Sequence, residues 1–266
     1  MSLIKKAQEE LLLRKRFYED FPLYARNCLS IRSKNQGLIN LILNPAQQYI
    51  YDLLMEQKKK TGKIRAVILK GRQQGVSTEI GGLYYWLITH HRGFRAFILT
   101  HDSDATKNLY EMVRRYHENC PVLFRPEVGT DNANELNFPL LDSGYKIGTA
   151  GNKGVGRSST IQLFHGSEVP RWPNAEEHAA GILQAIPNSS GTAAIFESTA
   201  RGVGDYFHLM WQSAVNGSSE FMPIFIPFFW QKEYRAQLKE GFVLTDEEKE
   251  LVAVYGLDHQ QIQWRR

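Results

Sequence analysis

The chain has 266 residues, 42% of them hydrophobic and 23% charged, and 32 basic against 28 acidic side chains give a net charge of +4. That length suits one large α/β domain, or a domain with a small satellite, and the mild basic excess permits contact with nucleic acid without arguing for it. Two cysteines, Cys28 and Cys120, make no C-x-x-C, and no apolar run reaches a membrane span or a signal-peptide core, so a soluble intracellular protein with reduced thiols is expected.

Residues 1 to 35 have a charged, helical texture broken at Pro22, and "NPAQQYIYDLLMEQKKK" reads as a helix with Pro45 in its first turn and a lysine-rich end. "RAVILK" is a short apolar run of the buried parallel-strand kind, closing at a glycine-bearing loop. A helix is expected from Ser77 through "STEIGGLYYWLITHH", although Gly81 and Gly82 weaken it. "RAFILTH" is a second buried strand and "SDATKNLYEMVRRYHEN" a capped amphipathic helix. "NELNFPLLDSGYKIGTA" reads as two strands turning at Asp142-Ser143-Gly144. "STIQLFH" and "TAAIFEST" are further buried strands, the latter leading through a glycine turn to a helix in "ARGVGDYFHLMWQSAV". "FMPIFIPFFW", punctuated by proline, suits an edge. The alternation of strand and helix predicts a mainly parallel sheet with helices on both faces.

Three strand ends carry polar residues: after "AVILK", after "IQLFH" and after "AAIFE". Ligands of open parallel sheets bind beyond the carboxyl ends of strands, so these ends are expected to share one crevice. The first is "LKGRQQGVST", close to the phosphate-binding pattern G-x-x-x-x-G-K-[ST] but with Val76 where the lysine belongs and Lys70 where the first glycine belongs. Its backbone N–H groups and following helix N-terminus suit a phosphate, Ser77 takes the place of the Mg²⁺-binding hydroxyl, and either Lys70 or Arg72 can supply the missing cation. A glycine turn without ligand is the plain alternative. The second end offers Glu168, the only carboxylate of its segment, and the third offers the hydroxyls of Ser198 and Thr199, which alone would equally suit a helix cap. The histidines show no metal-ligand spacing, and His165 is expected to pack near the sheet end.

Taken in order, "AQQ", "KGRQQGVST", a G-x-G-R element, "HGSEVPRW" and "ESTARGVGDYF" resemble the ATPase domain of phage large terminase subunits, the DNA-packaging motors, over residues 40 to 215. That family includes members whose P-loop lysine stands at the start of the loop, as Lys70 does. The resemblance implies an α/β P-loop NTPase of the ASCE type with a central mainly parallel β-sheet flanked by helices, plus a small lid. It divides the chain into an N-terminal helical segment or lid (1–40), the ATPase core (41–220), and a C-terminal covering segment (221–266) beginning a linker to a nuclease domain that the chain is expected to lack. It implies ATP and Mg²⁺ as cofactors. Nucleotide would be held by Gln47, at adenine, and by Lys70, Gly71, Arg72, Gln73, Gln74, Gly75, Val76, Ser77 and Thr78. Glu168 would be the catalytic carboxylate, and Ser77 would hold Mg²⁺ with Ser167 and Glu168, through water. Ser167 stands where many members have aspartate, which leaves open how the ion is held. Ser198, Thr199 and Ala200 match the coupling motif, and Arg157 matches an arginine offered in trans to a neighbouring subunit, with Arg72 and Arg201 as competitors. The expected function is ATP-driven translocation of double-stranded DNA into a procapsid in the host cytoplasm, without membrane association. The expected partners are a portal protein, a small terminase subunit and further copies of the chain in a ring. A helicase-like translocase and a non-hydrolysing nucleotide-binding scaffold are the alternatives.

Overall fold

The computed structural model describes residues 3–33, 36–151 and 160–266. Helix α1 (Leu3–Glu19) gives way to α2 (Phe21–Cys28), where Pro22 occupies the first turn and Asp20 caps it by accepting from Leu23 N. A hairpin of β1 (Ser30–Ser33) and β2 (Gly37–Asn40), not expected from the sequence, leads to α3 (Pro45–Thr61). Helix α3 opens on a capping box between Asn44 and Gln47 and ends at Gly62 in the left-handed conformation. Then β3 (Ile64–Lys70), α4 (Val76–His90), β4 (Arg95–Thr100) and α5 (Ser103–Asn119) follow in regular alternation. The short β5 (Glu135–Phe138) pairs antiparallel with β6 (Ser143–Thr149), and the reversal is a 3₁₀ turn over Pro139–Leu141, so Ser143 and Gly144 belong to the strand rather than to the turn.

Strand β7 (Leu163–Ser167) begins later than the apolar run suggests and extends through Gly166 to Ser167. Helix α6 (Ala175–Ala185) is likewise not expected from the sequence. After it come β8 (Ala193–Ser198), α7 (Tyr206–Val215), the edge strand β9 (Met222–Ile226), α8 (Asp246–Tyr255) and α9 (His259–Arg265). Among the described residues no helix is long and apolar enough to cross a membrane.

The central sheet has the order β5-β6-β4-β7-β8-β3-β9, with every pairing parallel except β5 with β6. Side chains alternate across it. Ala66, Ile68, Leu163, Ala193 and Ile195 face one core with α4 and α5, and Val67, Phe164, Ala194 and Phe196 face another with α6 and α7. Helix α4 is apolar on nearly all sides and correspondingly buried. Its two glycines have a packing reason: an added Cβ would come within 2.9 Å of Met112 at Gly81, and within 3.1 Å of Leu41 at Gly82. The N-terminal helices, expected to form part of a lid, place Phe17, Phe21, Tyr24 and Leu29 in the same core as α4. Cys28 and Cys120 are both free and buried there.

Candidate nucleotide site at the ends of three parallel strands

Strands β3, β8 and β7 are neighbours in parallel register, so their carboxyl ends open on the same edge, as the sequence leads one to expect. Alternation then decides which side chains meet. Lys70 continues the row of Ala66 and Ile68, Glu197 the row of Ala193 and Ile195, and His165 and Ser167 the row of Leu163, all on the α4 side.

Glu197 is the hub of this cluster and is 0% exposed. Its Oε1 accepts from the Ser77 hydroxyl at 2.7 Å and lies 3.3 Å from His165 Nε2. Its Oε2 is 3.1 Å from Lys70 Nζ, a buried ion pair. Burial pushes the Glu197 carboxyl up, but Lys70, His165 and Ser77 together outweigh it and hold the group below the usual carboxylate range. Burial likewise opposes the charge on Lys70, and Glu197 and Glu168 reverse this, raising it above the ordinary lysine value. The Lys70 ammonium also lies 3.6 Å from Glu168 Oε1, so in this structure two carboxylates occupy it.

Glu168 sits just beyond β7 in the left-handed conformation, φ 54°, with its N–H donating to the Glu197 carbonyl at 2.9 Å. A non-glycine residue there is strained, and such strain collects at functional sites. Gln73, in the loop after β3, shares the feature at φ 55°. Arg171, from the 3₁₀ turn that follows Glu168, brings its Nε to 3.7 Å from Glu168 Oε2. Lys70, Arg72, Gln73, His101, Glu168 and Arg171 line a cavity of about 310 Å³. Four positively charged or imidazole groups around one carboxylate suit a polyanion that brings its own negative charge.

The loop between β3 and α4 is braced rather than slack. The buried Gln74 accepts from Gly71 N at 2.7 Å and donates to the Pro227 carbonyl at 2.8 Å. Gln47 donates to the Gly75 carbonyl at 2.8 Å while its Oε1 accepts from Asn44 N. Gly75 has φ 80°, and an added Cβ would lie 2.7 Å from Gln47 Nε2, so the position requires glycine. Val76 is buried, and the Thr78 carbonyl accepts from Tyr116. From the C-terminal segment, the Tyr234 hydroxyl donates to the Arg72 carbonyl, and its ring stacks on Trp264 at 4.0 Å. Pro227 and Tyr234 of this segment therefore touch the loop directly.

Of the residues expected to form a coupling motif, Ser198 is buried at the end of β8 beside Leu69 and donates to the Thr199 carbonyl at 2.9 Å, while Ala200 is exposed. Arg201 is exposed and donates to the Pro170 carbonyl. Arg157 lies outside the described residues. Sequence spacing singles out neither Glu197 nor Arg171, and it gives His101 and His165 no ligand role. The available signal for Glu197 is a charge inside an otherwise apolar strand, since glutamate is almost never fully buried without a partner.

A divalent ion is accommodated by the donor types present. The Ser77 hydroxyl and the Glu197 carboxylate are hard oxygens of the kind Mg²⁺ prefers. Among the described residues no cluster of three or more His, Cys, Asp or Glu could hold a metal ion unaided. An ion here would depend on oxygens from a bound phosphate.

No family model and no curated protein matches the chain in sequence. Solved structures do match. The large terminase of bacteriophage HK97 superposes with a TM-score of 0.65 at 14% identity, covering 93% of this chain and 51% of that one. An ATPase-domain mutant of the Thermus phage P74-26 large terminase gives 0.53 at 16% identity, covering 84% of this chain and 92% of that one. The large terminase of another thermophilic bacteriophage, in complex with ATP-γ-S, gives 0.52 at 11% identity, covering 78% and 48%. The chain thus has the fold of phage large terminase ATPase domains, and it spans about half the length of the HK97 terminase and of the terminase bound to ATP-γ-S.

Proposed function

We propose that this chain is an ATP-hydrolysing motor domain of a phage DNA-packaging terminase. The observation that carries the reading is the convergence of Lys70, Ser77, Glu168 and Glu197 at the ends of three parallel strands. The likeness to a terminase solved with ATP-γ-S supports a nucleotide as the ligand.

In this reading Lys70 serves as the P-loop lysine from the far end of the loop. It exchanges its two carboxylate partners for the β- and γ-phosphates, which leaves Glu168 free to accept a proton from the attacking water. Mg²⁺, held at Ser77, supplies neutralisation of the phosphate oxygens. Arg72 and Arg171, which line the cavity, add positive charge where phosphoryl transfer develops negative charge. Gln47 braces the loop through Gly75 and contacts adenine with its second amide hydrogen. Ser198, Thr199 and Ala200 couple the strand end beside the loop to movement, and Arg157 completes a neighbouring subunit's site in a ring. Double-stranded DNA, a portal protein and a small terminase subunit are the partners, and the host cytoplasm is the place of action.

ATP turnover and ATP binding by the concentrated chain, beside Glu168→Ala, test the proposal. Turnover in the parent, lost by about 100-fold or more in a variant that still binds ATP, is expected for a general base. Binding without turnover in the parent, with portal protein present, would leave the non-hydrolysing scaffold. No binding would overturn the reading.

A further inference from the structure

An aspartate at position 167 would ordinarily anchor the metal ion of a P-loop site, opposite the loop's serine. Here that position is Ser167, buried at the end of β7, with its carbonyl accepting from the Trp172 indole at 2.9 Å. Ser167 pairs in register with Glu197 on β8, so the two side chains leave the same face of the sheet one strand apart. Strand β8 lies between β7 and the P-loop strand β3, so a residue on β8 is one strand nearer the loop. Glutamate is also one methylene longer than aspartate. From this nearer strand the Glu197 carboxylate reaches the Ser77 hydroxyl at 2.7 Å.

We propose that Glu197 supplies the metal-anchoring carboxylate that position 167 lacks, binding with Ser77 the divalent ion of a bound nucleotide. This rests on the ATPase reading and deepens it. Two observations separate the assignment from a merely structural ion pair. Lys70 alone would be satisfied by a carboxylate facing it, yet Glu197 also takes the hydroxyl that a P-loop reserves for the metal. Its second oxygen is buried and faces the Lys70 ammonium, 3.1 Å away, which itself lines the cavity. His165, fully buried at 3.3 Å, fixes the carboxylate from behind and is a positioning residue. When phosphates draw Lys70 away, that oxygen is available to the ion or to a water bound to it.

The experiment measures ADP affinity with Mg²⁺ and with EDTA, by calorimetry, for the parent, Glu197→Gln, Glu197→Asp and the double variant Ser167→Asp with Glu197→Gln. In the parent, Mg²⁺ should tighten ADP binding. Glu197→Gln should reduce the strengthening by about 10-fold or more, the usual effect of losing a carboxylate that supports a metal. Restoring a carboxylate at position 167 should recover most of the strengthening, which a role confined to packing or to Lys70 would not do. Glu197→Asp keeps the charge beside Lys70 and shortens its reach to Ser77. It should reproduce the loss of metal dependence if the glutamine variant does not fold. If the parent binds no ADP under either condition, the ATPase reading fails and this inference with it. If the parent responds to Mg²⁺ and the Glu197 variants respond equally, the ATPase reading stands and the assignment of Glu197 falls.

Discussion

In the proposed reading Lys70→Ala removes the phosphate-binding cation, and the structure gives that change a second consequence. Glu197 is completely buried, and Lys70 is the fixed cation that keeps it ionised. In the parent its carboxyl lies below the ordinary value of 4.5, so its stabilising contribution is present above that pH and lost as the pH falls below it. Removing one partner of a buried pair costs about 3–5 kcal/mol, because the other charge is left uncompensated. Lys70→Ala should lose that much stability near pH 8 in metal-free buffer.

The pH dependence should change as well. Above about pH 6 the unfolded chain has released the proton of Glu197. With Lys70 gone, the burial that opposes ionisation of Glu197 loses its main counterweight, so the native state retains a proton on that carboxyl. The native state then binds more protons than the unfolded one, so stability falls as pH rises, by up to about 1.4 kcal/mol per pH unit. From pH 6.5 to 8 the variant should lose up to about 2 kcal/mol that the parent keeps. Urea unfolding followed by tryptophan fluorescence reads both effects. In the double variant Lys70→Ala with Glu197→Gln, most of the loss should be recovered and the added pH slope removed. A cost under about 1 kcal/mol with no added slope, or a double variant no more stable than Lys70→Ala, would refute the reasoning.

Two further predictions concern neighbours of the site. Gly75→Ala forces a side chain into φ 80° and against the Gln47 amide. With about 1–2 kcal/mol for the left-handed backbone and about 1 for the displaced hydrogen bond, the cost should be about 2–3 kcal/mol in urea unfolding, with nucleotide affinity falling too. Glu79, in the first turn of α4, is fully buried with neither carboxylate oxygen hydrogen-bonded. Burial, then the charge of Asp52, raises it well above the ordinary glutamate value. A raised carboxyl stabilises below its unfolded value and loses that contribution as pH rises through the folded one, so Glu79→Leu should be more stable than the parent at pH 8, by about 1–3 kcal/mol. Unfolding midpoints that are equal at pH 5 and 8 for both proteins would count against it.

The alternation of β3, α4, β4 and α5 was legible because each element announces itself locally. Apolar runs bounded by turn residues mark the strands, and Asn44, Pro45 and Asp102 mark helix starts through contacts three residues long. The β1–β2 hairpin was missed because its strands are four residues each and none of those residues is buried, so no apolar pattern distinguishes them from loop. Helix α6 was missed for a related reason: few of its residues are buried, and its Asn174 cap makes no side-chain hydrogen bond. What failed locally was what depends on neighbours.

The site divides along the same line. Lys70, Ser77 and Glu168 can be found from spacing, since Lys70 closes β3, Ser77 stands in the first turn of the helix that follows it, and Glu168 comes just after β7. Glu197 cannot be assigned that way, because its role comes from which strand stands beside which. Had β8 lain outside β9, the same "AAIFES" would have placed its glutamate far from Ser77. Sheet order turns it into the partner of both the loop serine and the loop lysine. The displaced lysine and the absent aspartate at 167 are then one arrangement rather than two defects. A lysine at the end of β3 lies on the same face as a glutamate on β8, and each supplies the charge that lets the other remain ionised while buried. Moving the lysine back to its usual place would leave the buried Glu197 without its cation, which predicts that the displaced carboxylate depends on the displaced lysine.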